Sequence, residues 1–167
     1  EKYAFDELSI DSEFENEKRV ININSDDAIS GYIEGVFKVG ELPEVFQRSI
    51  ENLYFDEKPY KGEDFRYVDF NISIKNKIVD VLYPDVSIQP NTFISGSIIK
   101  DRNIFKFRFN SPEIDIFKNE IRNIDLQIDN TNPLYNTYIK VDSVASPNYP
   151  VSEFSLINKN INDTLYF

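Results

Sequence analysis

Residues 101–130, DRNIFKFRFNSPEIDIFKNEIRNIDLQIDN, keep a two-residue beat. Phe105, Phe107 and Phe109 share one parity, with Lys106 and Arg108 between them. Ile124, Leu126 and Ile128 repeat the pattern against Asp125, Gln127 and Asp129. Side chains alternate between the faces of a strand and recur every 3.6 residues on a helix, so this beat predicts strands with one apolar face. The apolar residues of the chain are mostly Ile, Phe, Tyr and Val, which suit a half-buried pleated surface.

The same cadence runs through most of the chain. YAFDELSI (3–10), KRVINI (18–23) and AISGYIEGVFKV (28–39) read as strands, the first with a slip of parity midway. The acidic stretch DSEFENEKR (11–19) reads as a solvated hairpin connection. FRYVDFNISIK then places Val68, Phe70, Ile72 and Ile74 on one face. From residue 85 onward strand follows strand, broken by Pro90, NSP (110–112), NTNP (130–133) and SPNYP (146–150). FISGSIIK can turn either Ile94, Gly96 and Ile98 or Phe93 and Ile99 inward. In all, ten or eleven closely spaced strands are predicted, the pattern of an all-β protein.

One helix interrupts them. In GELPEVFQRSIENLYF, about residues 41–55, Leu42, Val45, Phe46, Ile50 and Leu53 keep helical spacing, and Pro43 suits a first-turn position. Its polar face carries Glu44 and Glu51, unlike the Lys/Arg-rich face of a membrane-surface helix, so the stripe is expected to plug or cap a sheet. DEKPYKGED (56–64) reads as a linker and NKIVDVLYP (76–84) as a short helical turn ended by Pro84.

The composition excludes much chemistry. With no His and no Cys among 167 residues, Ser-His-Asp and Cys-His nucleophiles, disulfides and His- or Cys-ligated metals are all ruled out. The five glycines form no phosphate loop. A net charge of −11 argues against binding a phosphate backbone. Acidic residues could in principle form a glycosidase pair, but most alternate outward along strands, and the chain is read as no enzyme. Asn24, Asp26 and Asp27, and Asp129, Asn130 and Asn132, lack the spacing of a calcium loop and read as Asx turns. Asn71 and Asn162 open glycosylation sequons. No cofactor is expected, and no run approaches a membrane span.

What remains is the apolar face itself. A sheet of about ten strands at ~4.8 Å spacing is roughly 50 Å across, too large to leave to water. It can fold over as a sandwich, close into a small barrel, or curl into an open trough filled by something apolar.

The order of motifs bears on that choice. INSDDAISGYIEGVFKVGELPEVFQRSIENLYF gives a strand, a Ser-Asp turn, a strand carrying Gly31 and Gly35, then the helix. YVDFNISIKNKIVDVLYPDVSIQPNTFISGSI gives a strand, a helical turn, a Tyr-Pro-Asp turn, then IQPNTFISG. Over about residues 18–130 this resembles the periplasmic region of the TamB-type, AsmA-like family of bridge-type lipid transport proteins, as found in Bacteroides-type bacteria. The resemblance implies an elongated β-sheet curled into a taco-shaped open groove with an apolar interior. It implies a place in the periplasm of a Gram-negative bacterium and a role in outer-membrane biogenesis, with phospholipid acyl chains carried between the membranes. An outer-membrane barrel partner of the Omp85 type and an inner-membrane anchor are further implications, both expected to engage regions outside this chain.

The chain is accordingly read as one segment of a longer groove, breaking off in the alternating run DTLYF. The lining residues expected are Ile33, Phe37, Val68, Phe70, Ile72, Ile74, Ile94, Ile98, Phe105, Phe107, Phe109, Ile124, Leu126, Ile128, Ile139 and Val141, or else the same residues form an ordinary core. The rival readings are a non-catalytic β-sandwich or adhesin-type module that recognises protein or carbohydrate, and a structural spacer.

Overall fold

The computed structural model of the chain describes residues 7–54, 64–75, 79, 83, 85–147, 150–161 and 164–167. Eleven antiparallel strands form one sheet that does not close on itself. They are β1 (Ser9–Glu15), β2 (Lys18–Asn24), β3 (Ile29–Val36), β4 (Tyr67–Ile74), β5 (Val86–Ile88), β6 (Thr92–Ile99), β7 (Ile104–Ile116), β8 (Asn119–Asp129), β9 (Thr137–Ala145), β10 (Val151–Ile161) and β11 (Thr164–Tyr166). Neighbours in sequence are neighbours in space, except that β5 and β6 both pair with β7, one along each half of it. Helix α1 (Leu42–Tyr54) connects β3 to β4. Among the described residues no second sheet faces the first and the sheet stays open, so neither the sandwich nor the barrel describes this fold.

Two strand expectations need correction. DSEFENEKR is no mere connection: β1 covers Ser9–Glu15 and pairs with β2 along its whole length, Ile10 opposite Ile23 and Phe14 opposite Arg19. The carboxylates do not resist pairing, because alternation puts Asp11, Glu13 and Glu15 on the watered face. The turn is only Asn16 and Glu17, both at positive φ (51° and 69°), which is the twist a two-residue hairpin requires. Residues 3–6 of the expected first strand lie outside the described residues. The second correction is NSP, which is no break. Pro112 lies inside β7, which runs unbroken to Ile116 and turns into β8 through Phe117 and Lys118, again both at positive φ.

Pro112 has a wider effect. Pairing holds on both sides of it, Ser111 opposite Ile124 and Glu113 opposite Arg122. Its missing N–H removes one rung. At the same level, β8 carries Asn123 at φ 51° and β10 carries Glu153 at φ 51°. Between them on β9, Asp142 accepts a 2.8 Å bond from the Asn123 amide. Across this line the inward parity changes in every strand. Phe109 gives way to Ile114, Ile124 to Ile121, Val141 to Val144, and Phe154 to Val151, with apolar residues inward on both sides. β5 and β6 reach the same level at the Gln89–Asn91 interruption, where Asn91 has φ 64°. Thr92 and Ser111 there share a buried 2.7 Å hydroxyl contact. The sheet thus has a crease crossing β7 to β10.

α1 lies over the inner face. Val45 and Leu53 are buried in one cluster with Phe37, Phe65, Val68, Phe70, Ile98 and Phe105, and Phe46 meets the Phe70 ring edge-on at 5.3 Å. The Tyr54 hydroxyl reaches Thr137, 3.1 Å away, and Asn160 donates to the Leu53 carbonyl. Ile50, expected in the apolar stripe, is exposed. Residues 56–63 of the expected linker and nearly all of 76–84 lie outside the described residues.

Candidate functional site

The register divides the inner face into rows that run across the strands. Ser12, Ile21, Ile33, Phe70, Gly96, Phe107, Ile128, Thr137 and Asn158 stand opposite one another in turn. The next row is Ile10, Ile23, Gly31, Ile72, Ile94, Phe109, Leu126, Ile139 and Leu156. It takes one residue from each of nine strands, about 40 Å at the usual spacing, and every residue but Gly31 carries an apolar side chain.

These rows place the expected lining residues. All sixteen face inward, and of the two parities open to FISGSIIK it is Ile94, Gly96 and Ile98 that turn in, while Phe93 is exposed. They do not form one uniform wall. Phe37, Val68, Phe70, Ile98 and Phe105 are buried together under α1, and Ile33, Ile94, Phe107 and Ile128 pack against that cluster. Ile124 and Val141 belong to a second buried cluster with Ile114, packed against Phe109, Leu126 and Ile139, and Ile74 is also buried. Where the two clusters meet, Ile94 on the rim of the first and Phe109, Leu126 and Ile139 on the rim of the second keep partial access to water, as do Ile72, Ile23 and Leu156 of the same row.

The helix is not a loose cover. Withdrawing Val45 and Leu53, 1% and 3% exposed, would return side chains worth about 1.5–3 kcal/mol each to water. An acyl chain contributes about 0.8 kcal/mol per buried methylene. Occupying the half-open row is therefore cheaper than displacing α1, and the surface available to an apolar ligand is what the helix leaves.

That surface continues to both edges of the sheet. On β1 the inward Ile10 and Phe14 are 64% and 66% exposed. On the far side Val151 and Phe154 of β10, opposite Val144 and Val141, are exposed, and so is Leu165 of β11. Composition and alternation found the interior of the groove. They missed its β1 wall because the carboxylates of DSEFENEKR masked the beat of Ile10, Ser12 and Phe14.

Asp27, Asp129, Asn130 and Asn132 of the acidic and amide clusters are engaged in local structure. Ser25 donates to Asp27 and accepts from the Ala28 amide. Asp129 accepts from both the backbone and hydroxyl of Thr131, Asn130 from the Phe105 amide, and Asn132 from the Leu134 amide. Burial opposes ionisation of Asp129, but the Thr131 bonds and Lys106, 3.2 Å away, outweigh it and hold its carboxyl below the ordinary value. Among the described residues no three acidic side chains gather as a metal site. Asn71 stands exposed on the outer face, and Asn162 lies outside the described residues. No helix of the described residues is long and apolar enough to cross a membrane.

Comparison of the chain with protein-family models, with curated proteins and with solved structures returned no match.

Proposed function

We propose that this chain is a non-catalytic segment of a lipid-conducting β-groove, of the kind its motif order resembles in the TamB-type, AsmA-like proteins. Phospholipid acyl chains lie against the inner face while headgroups stay at the wet rim. One observation carries the reading. The row from Ile10 to Leu156 crosses nine strands without a charged residue, and its side chains remain partly open although a helix of the same chain is at hand to cover them. A fold that needed only a core has no reason to leave such a stripe unsealed and run it to both sheet edges. A row of interchangeable Ile, Leu and Phe contacts supports sliding rather than tight binding at one place. Periplasmic location and a place in outer-membrane biogenesis belong to the same proposal.

The test is to purify the chain in mild detergent, exchange it into buffer, and measure bound lipid by native mass spectrometry and by organic extraction. Phospholipid retained in proportion to protein, and displaced by a fluorescent acyl probe, is the expected result. A lipid-free protein that takes up no acyl probe overturns the proposal.

A further inference from the structure

Of the strand residues whose register places them inward among the described residues, Arg19 is the one with a charge. It stands on β2 between Phe14 of β1 and Gly35 of β3, two residues before Ile21 and four before Ile23. Its guanidinium carbon sits 4.2 Å from the centre of the Phe14 ring, and one terminal nitrogen donates to Ser12 Oγ at 3.2 Å. Nε is shut off from solvent and has no hydrogen-bond partner.

An arginine in this position ordinarily finds a carboxylate, and the chain has 29 acidic residues. Arg19 has none within ion-pair distance among the described residues. The reason is geometric. Asp11, Glu13 and Glu15 are on the paired strand but on its opposite face, and Lys18 beside Arg19 points outward to Glu34, 2.7 Å away. The hairpin sorts its charges, anions out and one cation in. The guanidinium lies over the Phe14 ring, and with one Nη hydrogen on Ser12 and Nε shut off, the remaining three donors on its terminal nitrogens can reach a phosphate.

We infer that Arg19, with the Ser12 hydroxyl beside it, is a binding site for a phosphate group at the rim of the groove. The inference deepens the lipid reading: the phosphate is that of a lipid whose acyl chains lie along Ile21 and Ile23 toward the open row. Two residues of strand span about 6.8 Å, so headgroup and acyl regions are separated along β2 as they are along a lipid. Free phosphate shares the chemistry and is separated from lipid by the test.

Binding of phosphatidylglycerol and of diacylglycerol with the same acyl chains is compared on the wild-type chain, Arg19→Gln and Ser12→Ala, alongside an NMR titration of the Arg19 guanidinium with inorganic phosphate. Wild type is expected to prefer the phospholipid by about tenfold or more, equivalent to roughly 1.4 kcal/mol. Arg19→Gln is expected to bind both lipids alike, with the diacylglycerol affinity unchanged. Ser12→Ala is expected to lose part of the preference. A wild type without the preference, or an Arg19→Gln protein that keeps it, overturns the site while leaving the acyl groove intact. If neither lipid binds, the groove reading fails, and the titration then decides alone. A saturable shift of the Arg19 guanidinium signals by phosphate upholds a free-phosphate site, and no shift overturns it. Circular dichroism checks that the exposed hairpin variants remain folded.

Discussion

The sharpest perturbation of the open row is Leu126→Glu. Leu126 lies between Phe109 of β7 and Ile139 of β9, is partly open to water, and is not under α1. Losing the burial of Leu126, which packs against Ile114, Ile124 and Val141, costs the fold roughly 1.5–3 kcal/mol. The new carboxylate can reach water from that face, so no larger penalty is expected in the empty protein. With an acyl chain over it the carboxylate loses that water, at a cost of several kcal/mol for an unpaired ion. Since 1.4 kcal/mol is a factor of ten, affinity for acyl probe falls by about a hundredfold or more. The control is Asn71→Glu, the same side chain on the exposed outer face of β4. Urea unfolding followed by circular dichroism measures the first cost, and extracted phospholipid per mole of folded protein measures the second. A folded Leu126→Glu protein carrying as much lipid as the Asn71→Glu protein would refute the reasoning. Phe107→Arg is a poorer probe than its beat in the sequence implies. Phe107 packs on the cluster beneath the helix, 6.4 Å from the Phe70 ring centre, so a cation there disrupts the fold first.

Other outcomes follow from the packing. Gly96→Ala places its Cβ 2.5 Å from the Phe70 ring and from the Lys106 carbonyl, and is expected to cost about 1–3 kcal/mol in urea unfolding. Gly31→Ala is expected to cost more, because φ there is 155° and the new methyl meets the Asn71 carbonyl oxygen at 2.1 Å, where backbone must move. Leu53→Ala is expected to lose about 2–5 kcal/mol of stability while the folded protein keeps its lipid load, since Leu53 belongs to the sealed cluster; a selective loss of lipid would contradict the division between core and groove. Asp129, whose carboxyl is held below its ordinary value, contributes stability that is present above the unfolded-state pKa and lost as pH falls through the folded one. Acid unfolding of Asp129→Asn should therefore be less steep than wild type below about pH 4, and an unchanged acid limb would remove Asp129 from the account.

Much of the fold was legible because alternation is a local signal. Phe105 to Phe109 and Ile124 to Ile128 declare their faces within five residues, and the helix declares itself by Val45 and Leu53 at its own period. What was hidden depended on partners. Asn16-Glu17 makes a tight hairpin turn without the glycine that usually marks one, so DSEFENEKR passed for a connection. Pro112 looked like a stop because a proline inside a central strand is normally excluded; only its neighbours show that a whole level of the sheet omits a rung there. The division of lining residues into sealed and open was equally hidden. Val68 and Ile72 are two steps apart on one strand, and nothing in their identity tells which of them the helix reaches.

The crease through Pro112, Asn123, Asp142 and Glu153 ties four strands to a common phase. A one-residue insertion on either side of it would turn that strand's remaining apolar side chains outward while its neighbours stayed in step. Drift along the chain is thereby restricted to paired changes: the groove can lengthen by whole hairpins, but the level at which it bends can move only if every strand crossing it moves together.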